Sequence, residues 1–185
     1  MNKVKIGVIG AGSISEFHLQ AYARHPDVEI YAVCDLNERR ARDKADRYGA
    51  AKVFRDYRDM LADPALDGVS ICTWNDSHAN ISIAALEAGK RVLVEKPLCR
   101  TVEEALRVQE TAARTGRLLQ VGFVRRFDPN THILKQFIDR QELGEIYYAK
   151  ASYLRRLGNP GGWFADIGRS GGGPMIDLGV HMIDL

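Results

Sequence analysis

The stretch Val4-Lys5-Ile6-Gly7-Val8-Ile9-Gly10-Ala11-Gly12-Ser13-Ile14-Ser15 decides the fold. Val4 to Ile9 reads as a short buried strand, and the two glycines break it. Ser13 to Arg24 then carries helical spacing, with Ile14, Phe17 and Ala21 as its apolar face. A strand running through a glycine turn into a helix is the opening of a βαβ unit. The pattern repeats outward from it. Val28 to Cys34 is a second strand, and Asn37 to Tyr48 a charged helix closed by Gly49. Strands follow at Val53-Phe54, Val69 to Cys72, Arg91 to Val94 and Leu118 to Val121. Between them lie a helix ending near Leu61, one from Ser77 to Ala88, and one opened by the capping box Thr101-Val102-Glu103-Glu104. Short strands alternating with helices predict a doubly wound parallel α/β sheet, a Rossmann domain over residues 1–122.

After Gly122 the texture changes. Pro129 to Arg140 reads as a helix and Ile146 to Leu154 as a longer strand, while Gly158 to Gly173 holds seven glycines in sixteen residues. Pro174 to Leu185 reads as a helix still running at the last residue. Residues 123–185 therefore read as the beginning of a separate segment of α+β character.

Composition narrows the partners. Of 185 residues, 26 are Lys or Arg and 24 Asp or Glu, a net charge of +2 with no basic stripe, which argues against nucleic acid and anionic membrane surfaces. No apolar run approaches the about 18 residues of a membrane span. The N-terminus has no signal-peptide form, and Cys34, Cys72 and Cys99 have no CxxC spacing. A cytoplasmic chain with reduced thiols is expected.

Two constellations carry chemistry. In Gly10-x-Gly12-x-x-Ser15, Gly10 permits the tight turn, Gly12 lets backbone approach a pyrophosphate, and Ser15 is small enough for helix–strand packing. The helix start, with Ser13 and Ile14, offers N–H groups to phosphates. Asp35, 20 residues after Ser15, can accept hydrogen bonds from both adenosine ribose hydroxyls and repels a 2′-phosphate. That points to NAD before NADP, although Arg39 and Arg40 are near enough to reach a phosphate. The second constellation is Glu95-Lys96-Pro97, a lysine at the carboxyl end of a strand, together with Asp177 and His181, four residues apart on one helix face. An imidazole beside a carboxylate suits proton transfer to or from a hydroxyl. Alone, each element also fits a strand terminator, a surface pair or two zinc ligands, but no third metal ligand stands at suggestive spacing.

Taken together these residues resemble the Gfo/Idh/MocA oxidoreductases, which include glucose–fructose oxidoreductase and inositol dehydrogenase. The likeness rests on the glycine turn, Glu95-Lys96-Pro97, and Gly171 to Asp184 with Asp177 and His181. Thr73-Trp74-Asn75-Asp76-Ser77-His78 is similar to the family's T-P-N-x-x-H turn, with Trp74 where proline is usual, and Gly122 to Asp128 matches a segment that enters the substrate site. The resemblance implies a cis bond before Pro97 and a coenzyme site lined by Gly10, Gly12, Ser13, Ile14, Asp35, Thr73, Asn75, His78, Glu95, Lys96 and Pro97. It implies catalysis by Lys96, Asp177 and His181, and a substrate, a sugar or cyclic polyol, held by those three and Arg125. The expected activity is hydride exchange between nicotinamide and a secondary hydroxyl. An NAD-dependent glycosidase of the same fold and a non-catalytic nucleotide-binding protein are the alternatives. Relatives continue for roughly another domain and are usually oligomers. This chain is therefore expected to be a fragment, or to be completed by another chain.

Overall fold

The computed structural model describes residues 3–154, 156, 158 and 160–185. Met1 and Asn2, and Arg155, Leu157 and Asn159 of the glycine-rich stretch, lie outside the described residues. Six strands form one parallel sheet in the order β3-β2-β1-β4-β5-β6: β1 Val4–Ile9, β2 Val28–Cys34, β3 Lys52–Phe54, β4 Gly68–Ile71, β5 Arg91–Glu95 and β6 Leu119–Gly122. The order reverses between β1 and β4, the switch point outside which such sheets bind ligands.

Helices α1 (Ser15–Arg24), α2 (Glu38–Tyr48), α3 (Tyr57–Leu61), α4 (Asn75–Glu87) and α5 (Val102–Thr115) follow the first five strands. Two apolar clusters hold the layers together. Val8, Leu19, Val33, Ala41 and Ala45 join α1 and α2 to the sheet. Met60, Leu66, Ile71, Leu86, Val92 and Val108 join α3, α4 and α5 to it. Near-continuous burial of β2 and β4 is what a sheet covered on both faces requires.

Local chemistry ends the helices where expected. Gly49 and Gly116 take left-handed backbone after α2 and α5, and Thr101 Oγ1 accepts the Glu104 N–H at 3.2 Å. The Glu104 carboxylate takes the backbone N–H of Arg100 at 3.0 Å and its guanidinium at 2.8 Å.

The structure corrects the sequence reading in three places. Helix α1 does not bury Ile14, Phe17 and Ala21: Phe17 is 69% exposed, and Ser15 and Leu19 are the residues pressed on the sheet. A second stripe, Ser15-His18-Leu19-Tyr22, shares helical spacing, and its smaller and polar members fit the sheet and its serine. Ile146 to Leu154 is not a strand, because no neighbouring strand among the described residues takes its N–H and C=O groups. Residues 174–185 are not one regular helix: a π-helical turn, Met175–Gly179, precedes α8 (Val180–Asp184). Helix α6 (Pro129–Asp139) forms as expected but buries none of its residues, and the glycine-rich stretch contains the short helix α7 (Ile167–Ser170).

Candidate active site

The carboxyl edge of the sheet gathers both constellations. Gly10 has φ +93°, and a Cβ there would stand 2.6 Å from the carbonyl oxygen of Cys72, so only glycine fits where β1 turns past β4. A Cβ on Gly12 would meet no atom within 4 Å. Ser15 is fully buried and its hydroxyl donates to the Gly12 carbonyl at 2.7 Å, which ties the turn to the helix start. Helices α2, α3, α5 and α6 are each capped by a side chain at Asn37, Asp56, Thr101 and Asp128. Helices α1 and α4, whose N-termini follow the two strands at the switch point, have no side-chain cap. The positive dipole ends of both helices therefore lie at the switch point without a side-chain acceptor.

Asp35 follows β2 beside this turn. Its Oδ2 accepts the Ala11 N–H and its Oδ1 the Asn37 N–H, both at 2.8 Å, while the Arg40 guanidinium stands 3.9 Å away. The carboxylate therefore has a fixed orientation next to the glycine turn, as a ribose acceptor needs.

On the other side, the Lys96–Pro97 peptide is cis. His78 is 1% exposed and bridges the carbonyls of Pro97 at 2.7 Å and Thr73 at 3.2 Å, so it braces the turn from behind rather than presenting a ring to solvent. Burial depresses its basicity, against the pull of those two carbonyls. Thr73 Oγ1 accepts from the Ser77 hydroxyl at 2.7 Å. Trp74 stands under the Arg169 guanidinium, 4.3 Å from the ring centre.

The chain after residue 160 closes on this edge. Asn75 Nδ2 donates to the Ser170 carbonyl at 2.8 Å, Arg100 donates to the Gly168 carbonyl, and Arg126 pairs with both carboxylate oxygens of Asp184 at 2.7 Å. Lys96 Nζ donates to the Asp177 carbonyl at 2.8 Å and to its Oδ1 at 3.2 Å. Asp177 makes this double contact from within the π-helical turn. His181 is 9% exposed, and its Nδ1 has no hydrogen-bond partner among the described residues. Its pKa is lowered from the usual 6.5 by burial first and then by the charges of Lys96 and Arg125, with Glu95 and Asp177 pulling the other way. Arg125 itself lies over the Tyr153 ring at 5.8 Å. A cavity of ≈ 380 Å³ lined by Asn75, Phe164, Gly173, Ile176 and Asp177 opens beside this cluster.

Lys96, Asp177, His181 and Arg125 are thus brought within electrostatic reach of one another. Sequence reasoning missed His18, whose ring contacts Glu95 at 2.8 Å. Its signal was its place in the first turn of α1, on the stripe of Ser15 and Leu19.

Comparison with known proteins gives three kinds of match. A family model described as "Oxidoreductase family, NAD-binding Rossmann fold" covers residues 4–123, and one described as "GFO/IDH/MocA C-terminal domain" covers residues 131–185. The chain is 39% identical over 183 residues to D-glucoside 3-dehydrogenase of Escherichia coli (strain K12), covering 98% of this chain and 52% of that protein. It is 34% identical over 185 residues to scyllo-inositol 2-dehydrogenase (NAD(+)) of Bacillus subtilis (strain 168), covering 100% and 53%. A solved structure of levoglucosan dehydrogenase in complex with NADH and L-sorbose superposes with a TM-score of 0.89 at 29% identity, covering 100% of this chain and 52% of that one. The chain spans about half the length of the curated relatives it matches.

Proposed function

Since the chain belongs to the Gfo/Idh/MocA family of NAD-binding oxidoreductases, we propose that it carries the coenzyme site and the proton-transfer groups of an NAD-dependent dehydrogenase acting on a secondary hydroxyl of a sugar or cyclic polyol. The observation that carries this reading is Lys96 Nζ at 2.8 and 3.2 Å from Asp177, with the buried ring of His181 in the same cluster. The coenzyme, when bound, supplies the hydride acceptor. Gly10, Gly12, Ser13 and Ile14 would hold its pyrophosphate, and Thr73, Asn75, Glu95, Lys96 and Pro97 would line the rest of its site, with His78 bracing the turns of Thr73 and Pro97.

His181 takes the hydroxyl proton on a ring nitrogen. Its lowered pKa keeps a lone pair available near neutrality. The Lys96 ammonium stabilises the negative charge that develops on the hydroxyl oxygen, and Asp177 keeps that ammonium in place. Arg125, close enough for its charge to act on His181, orients the substrate. Asp35 supports NAD over NADP, because a fixed carboxylate accepts from ribose hydroxyls and repels a phosphate.

We read residues 1–122 as the coenzyme domain and 123–185 as the start of the substrate domain. The exposed Ile133, Leu134 and Phe137 of α6 support assembly as a homo-oligomer, and three free cysteines support a reducing, cytoplasmic setting. The test is a panel of inositols, aldoses and sugar acids given with NAD to the full-length enzyme, followed by NADH absorbance and product analysis. A ketone with stoichiometric NADH is expected. A free aglycone without NADH accumulation, or coenzyme binding without any product, would overturn the reading.

A further inference from the structure

Four polar side chains run without a break from helix α1 to the end of β5. The Tyr22 hydroxyl is hydrogen-bonded to Ser70 Oγ, Ser70 Oγ lies 3.2 Å from His18 Nδ1, and His18 Nε2 lies 2.8 Å from Glu95 Oε1. Glu95 Oε2 in turn accepts the backbone N–H of Lys96 at 3.3 Å. Ser70 is wholly buried, and the His18 and Glu95 side chains are 11% and 9% exposed. A Cβ on Gly122 would stand 3.2 Å from Glu95 Oε1, so the carboxylate is confined by backbone on the side facing β6.

Proton counting along this chain leaves one arrangement. A carboxylate only accepts, so His18 Nε2 must donate to Glu95. In a neutral ring Nδ1 is then an acceptor, which the Ser70 hydroxyl satisfies, and the Ser70 oxygen accepts from Tyr22 O–H. Every hydrogen has an acceptor. An imidazolium would point a second N–H at Ser70, and whether the Ser70 hydroxyl then accepts from Tyr22 or donates to it, one of the two hydroxyl protons is left without an acceptor in the chain of contacts. Burial, which raises the Tyr22 pKa, keeps that hydroxyl protonated. The opposite neutral tautomer would set a nitrogen lone pair against a carboxylate oxygen.

We propose that His18 is a positioning residue: held as its Nε2–H tautomer by Ser70 and Tyr22, it fixes the Glu95 carboxylate and through it the Lys96 main chain at the end of β5. The helix that begins at the glycine turn thereby also sets the strand end from which Lys96 projects. The inference rests on the dehydrogenase reading only for the meaning of Lys96 in a reaction, and its test uses no turnover.

The experiment is nitrogen NMR on the labelled 185-residue chain at neutral pH, with the His18 signals identified by their loss in His18→Gln. One tautomer with protonated Nε2 and bare Nδ1 is expected. Two protonated nitrogens, or the Nδ1–H tautomer, would overturn the proposal. Amide hydrogen exchange supplies the second readout. His18→Leu removes the donor, and the Lys96 amide should exchange about tenfold faster, the scale of one lost charge-assisted hydrogen bond. His18→Gln keeps a donor for Glu95 and should restore exchange to within about threefold of wild type, with Val8 in β1 unchanged. Unchanged Lys96 exchange in His18→Leu, or a glutamine variant no better than leucine, would refute the role. Should the leucine variant fail to fold, the wild-type tautomer and the glutamine variant still decide.

Discussion

Replacing Gly10 and Gly12 by alanine, one at a time, separates the two tasks of the glycine turn. At Gly10 the backbone is left-handed, φ +93°, which costs an alanine about 1–2 kcal/mol. Its new methyl would also stand 2.6 and 2.7 Å from the Cys72 carbonyl and 2.9 Å from the Thr73 nitrogen. These are main-chain atoms that cannot rotate aside, so an overpacking cost of about 1–3 kcal/mol adds to the first. The sum is about 2–5 kcal/mol. With a urea dependence of roughly 2 kcal/mol per molar, the unfolding midpoint should fall by about 1–2.5 M. Gly12 has neither difficulty: no atom lies within 4 Å of its Cβ direction, and Gly12→Ala should leave stability within about 1 kcal/mol of wild type. Its methyl instead intrudes where backbone must approach the pyrophosphate, so NADH affinity should fall at least about tenfold, or about 1.4 kcal/mol. Urea unfolding followed by circular dichroism, and fluorescence titration with NADH, read the two effects on the same chain. A Gly10→Ala midpoint unmoved from wild type, or a Gly12→Ala chain that binds NADH normally, would refute the assignment of the turn.

Four further outcomes follow from the same geometry. By calorimetry NAD should bind at least about tenfold more tightly than NADP, and Asp35→Ala should narrow that gap; equal affinities in the wild type would remove Asp35 as the selector. In the full-length enzyme His181→Ala should lower turnover by about 10²-fold or more. Because burial, Lys96 and Arg125 hold His181 below 6.5, its basic form persists as pH falls, and alcohol oxidation should hold through pH 6.5 and decline only below it; a decline centred at or above 6.5 contradicts the cited shift. Gly171→Ala puts a methyl 2.7 Å from Arg100 Cβ at φ +78°, so hydrogen exchange should rise around Ile167–Ser170 while β1 stays protected; equal protection in both would show that Gly171 does not set the docking.

What the sequence disclosed, and what it did not, follows from how local the determinants are. Gly10, Asp35 and the Lys96–Pro97 strand end were legible because each is set by a strand, a turn and a helix start adjacent in the chain. The strands β2 and β4 were legible for the same reason, each being a short run rich in β-branched and aromatic residues between helical segments. Ile146 to Leu154 misled because alternation reports a preference for extended backbone, whereas a strand also needs a partner from elsewhere in the chain. Helix α1 misled because Phe17 and Ile14 outweigh Ser15 and His18 in any apolar count, yet Ser70 and Glu95 on the sheet select the smaller and polar stripe. The π-helical turn at Met175–Gly179 has no periodicity of its own, so Asp177 and His181 could be paired by spacing while the double contact of Lys96 with Asp177 could not be foreseen.

Three of the bonds that draw residues 160–185 onto the sheet, from Asn75 to Ser170, from Arg100 to Gly168 and from Lys96 to Asp177, end on main-chain carbonyls. Every residue type offers a carbonyl. These three bonds read the course of the loop and not its side chains, and the cavity side chains other than Asp177 are free to change without loosening them. On the dehydrogenase reading proposed above, a scaffold anchored in this way exchanges one substrate for another by substitutions confined to the loop, leaving the sheet domain untouched. Libraries that vary Phe164, Ile176 and Leu178, which line the cavity, while keeping the three donors are the economical place to redirect specificity.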